Sequence, residues 1–478
     1  MSEIPVDGWS IPPKLAVVVP PEREPGWADA ALWCVLLEAW GFPADRVAMG
    51  APIPPGVTTL VVPGAVGEPP ATGPTTTVLV AGSSGRDSSP GSDDVVAFGP
   101  SAEDLVRADA EDVADAAERA LERAAPRGLV GLWRWPGGAA CALVVDGDVD
   151  HPSCVDPECS RYVAPAIETA VHAGFDAYGI FVAGANVEAE PASFPIGAAG
   201  YYNHSYGHPY SHWDPRPWEA LDDDEIADEI RCCADALRRI LGRSDEGIFR
   251  LPHFQLEAAG RTYAVLDELG YHADSSIGAN ASITGGLPFH PALRPWSDHA
   301  ADAAYARSHP DPLARHALLQ LPIATDPTDP AFRHGCCSYN TLGEGVRART
   351  ADPSDYERVL DEVLARSLAR RGLAHLFIDP PDAGYGRLPG DGVDYAGAVE
   401  RWMGRAAAMD DVAILTTSGL ARWWLNREAA IGRMQARVDH GRLVVEVGEP
   451  PPGTSIAILA PRSAGGAWTR VPASAMAA

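Results

Sequence analysis

The sequence predicts an α/β protein whose largest part is a (β/α) barrel, whole or incomplete. From Cys141 onward strand-then-helix units repeat over nearly 300 residues, the alternation that lays down a parallel sheet. Several of these strands end in carboxylates, imidazoles or an arginine, and barrel chemistry sits at the C-terminal edge of the strands. The length, 478 residues, exceeds an ordinary single domain and predicts two or three.

Residues 1–13 read as a loose tail. The next segment runs strand 14–19 (KLAVVV), helix 28–40, strand 59–62, strand 77–81, and an Ala-, Glu- and Arg-rich helix over 102–124. This alternation predicts a doubly wound α/β module over 14–128. It resembles flavodoxin-like and glutamine-amidotransferase-like modules, but VVPGAVG lacks the cysteine of an amidotransferase nucleophile elbow. A scaffold that packs on the next domain is therefore expected in preference to a degenerate small-molecule or docking domain, since fold alone does not carry function. SGRDSSPGSDD (84–94) reads as a polar surface loop, and 125–138 as a turn-rich boundary.

The barrel segment, 129–428, opens with strand 141–145 (CALVV). Helix 161–173, strand 177–183, an acidic amphipathic helix near 221–241, strand 246–252, helix 257–269 and strand 271–276 follow. Beyond an irregular stretch, 280–315, come strand 317–323, helix 353–371, strand 373–379, helix 394–409, strand 412–417 and helix 418–430. Residues 429–478 alternate at period two with turn signals and predict a small β appendage.

With 46% apolar and 21% charged residues the chain can bury an ordinary core. Its net charge of -28 repels phosphates, which excludes nucleic acid and anionic membranes as partners and favours neutral or cationic substrates. Lys14 is the only lysine, so there is no P-loop and no Schiff-base lysine away from the N-terminus. A Gly-x-Gly-x-x-Gly after a strand is also missing. The first residues show neither a positive n-region nor an apolar h-region, and no apolar run reaches membrane-spanning length; a cytoplasmic protein is expected. The eight cysteines (34, 141, 154, 159, 232, 233, 336, 337) have no zinc-ribbon spacing and read as free thiols, mostly buried.

Four strand ends carry the candidate chemistry. The first runs out in VVDGDVDH, with Asp146, Asp148 and Asp150. Their repulsion is relieved by a cation or by one carboxyl keeping its proton, and either suits acid–base work; a solvated acidic turn is the plain alternative. The second is YYNHSYGH, residues 201–208, where His204 and His208 stand four apart. On one helical turn both imidazoles reach the same cation, but Pro209 biases His208 away from helical geometry and places the pair on a single turn or tight loop. Chance spacing of core residues is the alternative. The third is FRLPHF, where the fixed fork of Arg250 suits a carboxylate or substrate oxygens, with His253 nearby; a surface salt bridge is the alternative. The fourth is LAHLFIDPPDAG, with His375 within the strand and Asp379 at its end. These read as a general acid or its orienting partner, or else as a core histidine and a turn cap at Pro380.

Taken in this order, the motifs resemble the polysaccharide deacetylases, the NodB-homology fold of carbohydrate esterase family 4. WPGGAACALVVDGDVDH resembles that family's first motif in an Asp-x-Asp variant. NHSYGH is similar to its second motif, His-Ser/Thr-x-x-x-His read loosely as His-Ser-x-x-His. FRLP resembles its Arg-x-Pro motif, YHADSSI its Tyr-x-x-Asp-Ser-Ser strand, and DDVAILTTSGLARWWLNR its closing strand and helix. The resemblance covers about 300 of the 478 residues, and the second motif is its most specific part.

The resemblance implies a distorted (β/α) barrel of NodB type in which Asp150, His204 and His208 hold a divalent metal, most simply zinc, with water in an open position. Asp148 would be the general base on that water and Arg250 would orient it. Asp146 as base with Asp148 as ligand is the competing assignment. The family usually ends its late strand with a histidine as general acid. Here Asp379 stands in that place with His375 four residues earlier, leaving Asp379, His375 or a histidine such as His253 as the proton donor. His212, beyond Pro209, is expected at the pocket rim or in solvent.

Such a site fits amide hydrolysis. Zinc lowers the pKa of bound water to about 7, polarises the carbonyl and stabilises the oxyanion, and a second acid protonates the leaving amine. The expectation is a metal-dependent deacetylase acting on a small intracellular acylamino compound, with self-association left open. The rivals are a non-hydrolytic metal-dependent reaction, such as epimerisation or elimination, and a non-catalytic binding protein.

Overall fold

The computed structural model describes residues 2–5, 13–21, 24, 26–63, 76–81, 95–99, 110–125, 128–150, 159–196, 200–209, 216–243, 245–252, 259–279, 282–291, 315–324, 353–384, 387, 389, 394–440, 442–459 and 468–472. The chain splits into two compact units: Met1–Gly138, Ile283–Gly285 and Trp423–Ala478 form one, Ala139–Ser282 and Gly286–Arg422 the other. Among the described residues no helix is long and apolar enough to cross a membrane.

The first unit contains strands β1 (Ser2–Pro5), β2 (Leu15–Val19), β3 (Ala44–Ala48), β4 (Thr59–Pro63), β5 (Thr77–Ala81), β6 (Val95–Gly99) and β7 (Leu129–Leu132). Five of them form a parallel sheet in the order β3-β2-β4-β5-β6, the 2-1-3-4-5 order of flavodoxin-like doubly wound sheets. The continuous apolar runs of β2 and β4 suit strands that are buried throughout.

The second unit holds the barrel-like sheet. Its strands are β8 (Cys141–Val149), β9 (Gly179–Val182), β10 (Gly200–Asn203), β11 (Ile248–Phe249), β12 (Ala273–Asp274), β13 (Leu319–Gln320), β14 (Leu373–Phe377) and β15 (Val412–Ile414). All pairings are parallel, in the order β13-β12-β11-β10-β9-β8-β14, with β15 also paired to β8. Just beyond β13, the Ala324 N–H donates to the His375 carbonyl on β14 at 2.8 Å, so the two ends of the sheet meet. Helices Val163–His172, Asp223–Ala236, Ala259–Glu268, Pro353–Ala369 and Tyr395–Ala407 alternate with the strands. A mixed α/β unit with a curled parallel sheet is thus present, as the strand–helix alternation predicts.

Strands β16 (Gln435–Asp439), β17 (Arg442–Glu446), β18 (Ser455–Leu459) and β19 (Trp468–Pro472) follow. They correct two expectations. Residues 2–5 are not loose: they add to the edge of the β16–β17 hairpin as β1, antiparallel to β17. So short an edge strand has too few residues to show a period. Residues 129–132, expected in a turn-rich boundary, form β7 and pair with β18. Gly131 misleads there, because it marks a close approach: a Cβ would lie 2.5 Å from the Gly41 carbonyl oxygen.

Other differences are of extent. The strands expected over 246–252, 271–276 and 317–323 shrink to the two-residue β11, β12 and β13. The helix expected near 221–241 is α-helical over Asp223–Ala236 and ends in a π turn, Leu237–Leu241. Of the helix expected over 102–124, Ala110–Ala124 is described. Residues 84–94, most of 280–315, and His212 and His253 lie outside the described residues.

Candidate metal centre

β8 is buried along its whole length. Its apolar first half anchors the strand in the core, and period-two alternation then sends Asp146 and Asp148 to one face, with Asp150 next in the series just past the strand end. Gly147 between them is required by packing. A Cβ there would lie 2.3 Å from the Ile378 carbonyl oxygen and 2.7 Å from the Asp379 Cα. The chain leaving β14 therefore runs directly against β8, and Asp379 Oδ1 accepts the Asp148 N–H at 2.7 Å. Asn186, on helix Gly184–Ala189, donates its amide to the Asp150 carbonyl and so fixes the chain beyond the strand.

The histidine pair leaves β10. Asn203, the last residue of that strand, is fully buried, and its amide nitrogen donates to the Ile230 carbonyl (2.8 Å) and reaches Tyr271 Oη (2.7 Å) and Asp245 Oδ2 (3.2 Å). Its oxygen accepts the Ser205 N–H, and Ser205 Oγ accepts the His208 N–H at 3.1 Å. The chain turns sharply here, with Ser205 and His208 at positive φ of 65° and 49°. The expected single turn or tight loop is what the structure has. Both imidazoles are 1% exposed, with ring centroids 4.9 Å apart. The Arg250 carbonyl lies 3.0 Å from His204 Nδ1; a proton on Nδ1 donates to it and leaves Nε2 with a lone pair.

Nε2 of His204 lies 3.4 Å, and Nε2 of His208 3.3 Å, from the same oxygen, Asp150 Oδ1. The three donor atoms all fall within 4.8 Å of one another, as the resemblance implied for these residues. Tetrahedral zinc with bonds of about 2.0–2.1 Å separates its ligands by about 3.3–3.4 Å, so the donor set and both measured edges fit such an ion. Asp148 Oδ2 stands next to this group, 3.6 Å from His204 Nε2.

Arg250 ties the aspartates together. It is fully buried, donates from Nη1 to Asp148 Oδ1 (2.7 Å) and from Nη2 to Asp146 Oδ1 (2.8 Å), and gives two further N–H groups to Ser275 O and Oγ. Its guanidinium lies over the Phe181 ring, 3.9 Å from the centroid. The other oxygen of Asp146 takes His375 Nε2 (2.7 Å) and Thr417 Oγ1 (2.8 Å), Thr417 opening helix Thr417–Ile431. Among the described residues, His375 Nδ1 is buried with no hydrogen-bond partner.

The electrostatics differ along the strand. Burial raises the Asp146 carboxyl, but Arg250 and His375 outweigh it and bring the pKa down to about 2. Burial lifts Asp148 above its ordinary range against the pull of Arg250 and His204. Asp150 is desolvated too, yet His208 and His204 hold it well below its ordinary value. His204 is pushed down by burial and more strongly up by Asp148 and Asp150, for a net rise.

The structure therefore gathers Asp148, Asp150, His204, His208, Arg250 and Asp379 at one end of the sheet. Asp146 and His375 join them through Arg250, on the far side of that side chain's fork. Thr417, Asn203 and Ser275 were not singled out by sequence. All three lie inside stretches the resemblance quotes, NHSYGH, YHADSSI and DDVAILTTSGLARWWLNR, but nothing there marks them individually as contacts of the site.

No protein-family profile matches the chain, and no curated protein matches it. Solved structures do. A polysaccharide-deacetylase candidate from Mycobacterium smegmatis is 18% identical, with 60% of this chain and 91% of that one covered and a TM-score of 0.40. A 4-alpha-glucanotransferase from Thermococcus litoralis is 11% identical over 59% of this chain and only 40% of its own, with a TM-score of 0.36. The peptidoglycan deacetylase PdaC from Bacillus subtilis is 14% identical over 62% of this chain and 96% of its own, with a TM-score of 0.29.

Proposed function

We propose that the chain is a metal-dependent hydrolase that removes an N-acyl group, most simply acetyl, from a small acylamino compound such as an amino sugar or a biosynthetic intermediate. The observation that carries this reading is the convergence of donor atoms from Asp150, His204 and His208 within 4.8 Å of one another, beside a separate buried carboxylate, Asp148, held by Arg250 at 2.7 Å. A divalent ion there, zinc being the simplest, would supply Lewis-acid chemistry that acidifies water and polarises an acyl carbonyl.

The chain's own residues supply the rest. Asp148, made more basic by burial, takes a proton from the attacking water. Arg250 fixes its orientation. Asp146 is the anchor for the other side of the fork and, fully buried and fully bonded, serves neither as base nor as ligand. We assign proton donation to the leaving amine to Asp379, which lies against the Asp148 backbone, because the Nε2 of His375 is engaged by Asp146. We place the reaction in the cytoplasm. The net charge of -28 supports a neutral or cationic substrate, with neither nucleic acid nor membrane as partner.

The test is acetate release from a panel of N-acetyl sugars and other acylamino compounds by the zinc-loaded chain. Asp148→Asn and His204→Ala should abolish it. Stoichiometric metal without C–N hydrolysis on any member of the panel would sink the deacylase reading. One observation favours a second reading, an epimerisation or elimination: an aspartate, not a histidine, stands at the end of β14. Metal-dependent turnover without acetate release would select it.

A further inference from the structure

The turn carrying His204 and His208 is held in an unfavourable backbone shape. Ser205 and His208 both lie in the left-handed region, φ 65° and 49°, and neither is glycine. Such residues persist only where their surroundings impose them. Contacts on two sides do so here. On the carbonyl side, Gly184 and Ala185 N–H groups donate to the Ser205 and Tyr206 carbonyls, each at 3.0 Å. On the amide side, the Tyr206 N–H (2.9 Å) and the Gly207 N–H (2.7 Å) donate to a single oxygen, Glu229 Oε2. Glu229 lies on helix Asp223–Ala236, which also accepts the Asn203 amide at its Ile230 carbonyl. The turn is thus held between two helices, and on its amide side the same helix fixes both it and the end of β10.

We propose that Glu229 is a positioning residue of the metal centre, imposing the left-handed turn that aims His208 at Asp150. The proposal rests on the reading of Asp150, His204 and His208 as metal ligands. One oxygen bound to two successive amides sets the direction of the peptide between them, and His208 follows immediately. Without that oxygen the amides turn to water, the turn relaxes, and His208 Nε2 leaves its place 3.3 Å from Asp150 Oδ1. The role is that of an acceptor more than of a charge, so glutamine can perform it.

The experiment titrates Zn2+ into the chelator-stripped full chain against a competing chromogenic chelator, alongside thermal unfolding of the zinc-free proteins. Glu229→Ala is expected to weaken zinc binding about 10–100-fold, and Glu229→Gln to stay within about threefold of the unaltered chain. If Glu229→Ala does not fold, Glu229→Asp, one methylene short of the two amides, carries the same expectation of weakened binding. A merely structural role would lower the zinc-free melting temperature and leave zinc affinity unchanged; that outcome overturns the proposal, as does equal weakening by alanine and glutamine. An unaltered chain that binds no zinc removes the metal centre itself and this proposal with it, which separates the two failures.

Discussion

The backbone N–H of Asp148 donates to the carboxylate of Asp379 at 2.7 Å. With the Ile378 N–H bond to the Asp146 carbonyl, this contact ties the chain leaving β14 to β8 and sets a second carboxylate beside Asp148. Asp379→Asn keeps an oxygen for that N–H while removing the acidic proton. With Asp379 as donor to the leaving amine, kcat should fall about 100-fold at little change in KM. Steady-state kinetics that show kcat nearly unchanged would move the proton to another residue.

Arg250 is the cation shared by two buried carboxylates. Arg250→Met leaves both without it, which should cost about 3–5 kcal/mol of stability and suppress turnover. Arg250→Lys restores the charge but not the planar fork, so stability should recover further than kcat. Urea unfolding and kinetics on the same preparations check both; a methionine variant as stable as the unaltered chain would contradict the pairing.

Gly147 is where β8 and the exit of β14 touch. The atoms a Cβ would meet are backbone atoms, which have no rotamer to change. Gly147→Ala should therefore destabilise by about 1–3 kcal/mol and displace Asp148, lowering kcat without removing any functional side chain. A neutral effect in urea unfolding would contradict the close approach.

Asp274, on β12 beneath the arginine, responds to pH. Burial pushes its carboxyl from the ordinary 3.8 up to about 6, against donors from Ser276 and Gln320. The folded chain thus binds this proton more tightly than the unfolded chain does. The contribution favours folding below about pH 4 and is lost as pH rises to about 6, a change of about 3 kcal/mol. Asp274→Asn should remove that pH dependence, so its stability relative to the unaltered chain should rise by about the same amount across this window. A pH-independent difference between the two unfolding curves would contradict the raised pKa.

Much of this was legible in the chain. Long apolar strands such as 141–145 and amphipathic helices such as Asp223–Ala236 state their period plainly, and the carboxylate, histidine and arginine motifs fall at strand ends. The short strands β11, β12 and β13 gave little period to read, and β1, β3 and β7 take their place from neighbours distant in sequence. The site followed the same division. The carboxylates, histidines and arginine at strand ends can be read from the sequence, and the resemblance groups Asp150, His204 and His208; which of Asp146, Asp148 and Asp150 meets Arg250, His375 and Thr417 depends on contacts across the sheet. No spacing in the sequence encodes that Nε2 of His375 faces Asp146. Gly147 shows the limit in one residue: nothing near it in sequence shows that a Cβ there would meet the backbone of Ile378 and Asp379.

The central claim is that Asp150, His204 and His208 hold one divalent ion with Asp148 beside it. A crystal of the zinc-loaded chain, measured at the zinc absorption edge, tests it most directly. The account predicts one anomalous peak bonded to Asp150 Oδ1, His204 Nε2 and His208 Nε2 at about 2.0–2.2 Å, with Asp148 bound to Arg250 and not to the ion. An ion bonded to Asp146 or Asp148 in place of Asp150, or no peak at stoichiometric zinc, would contradict it.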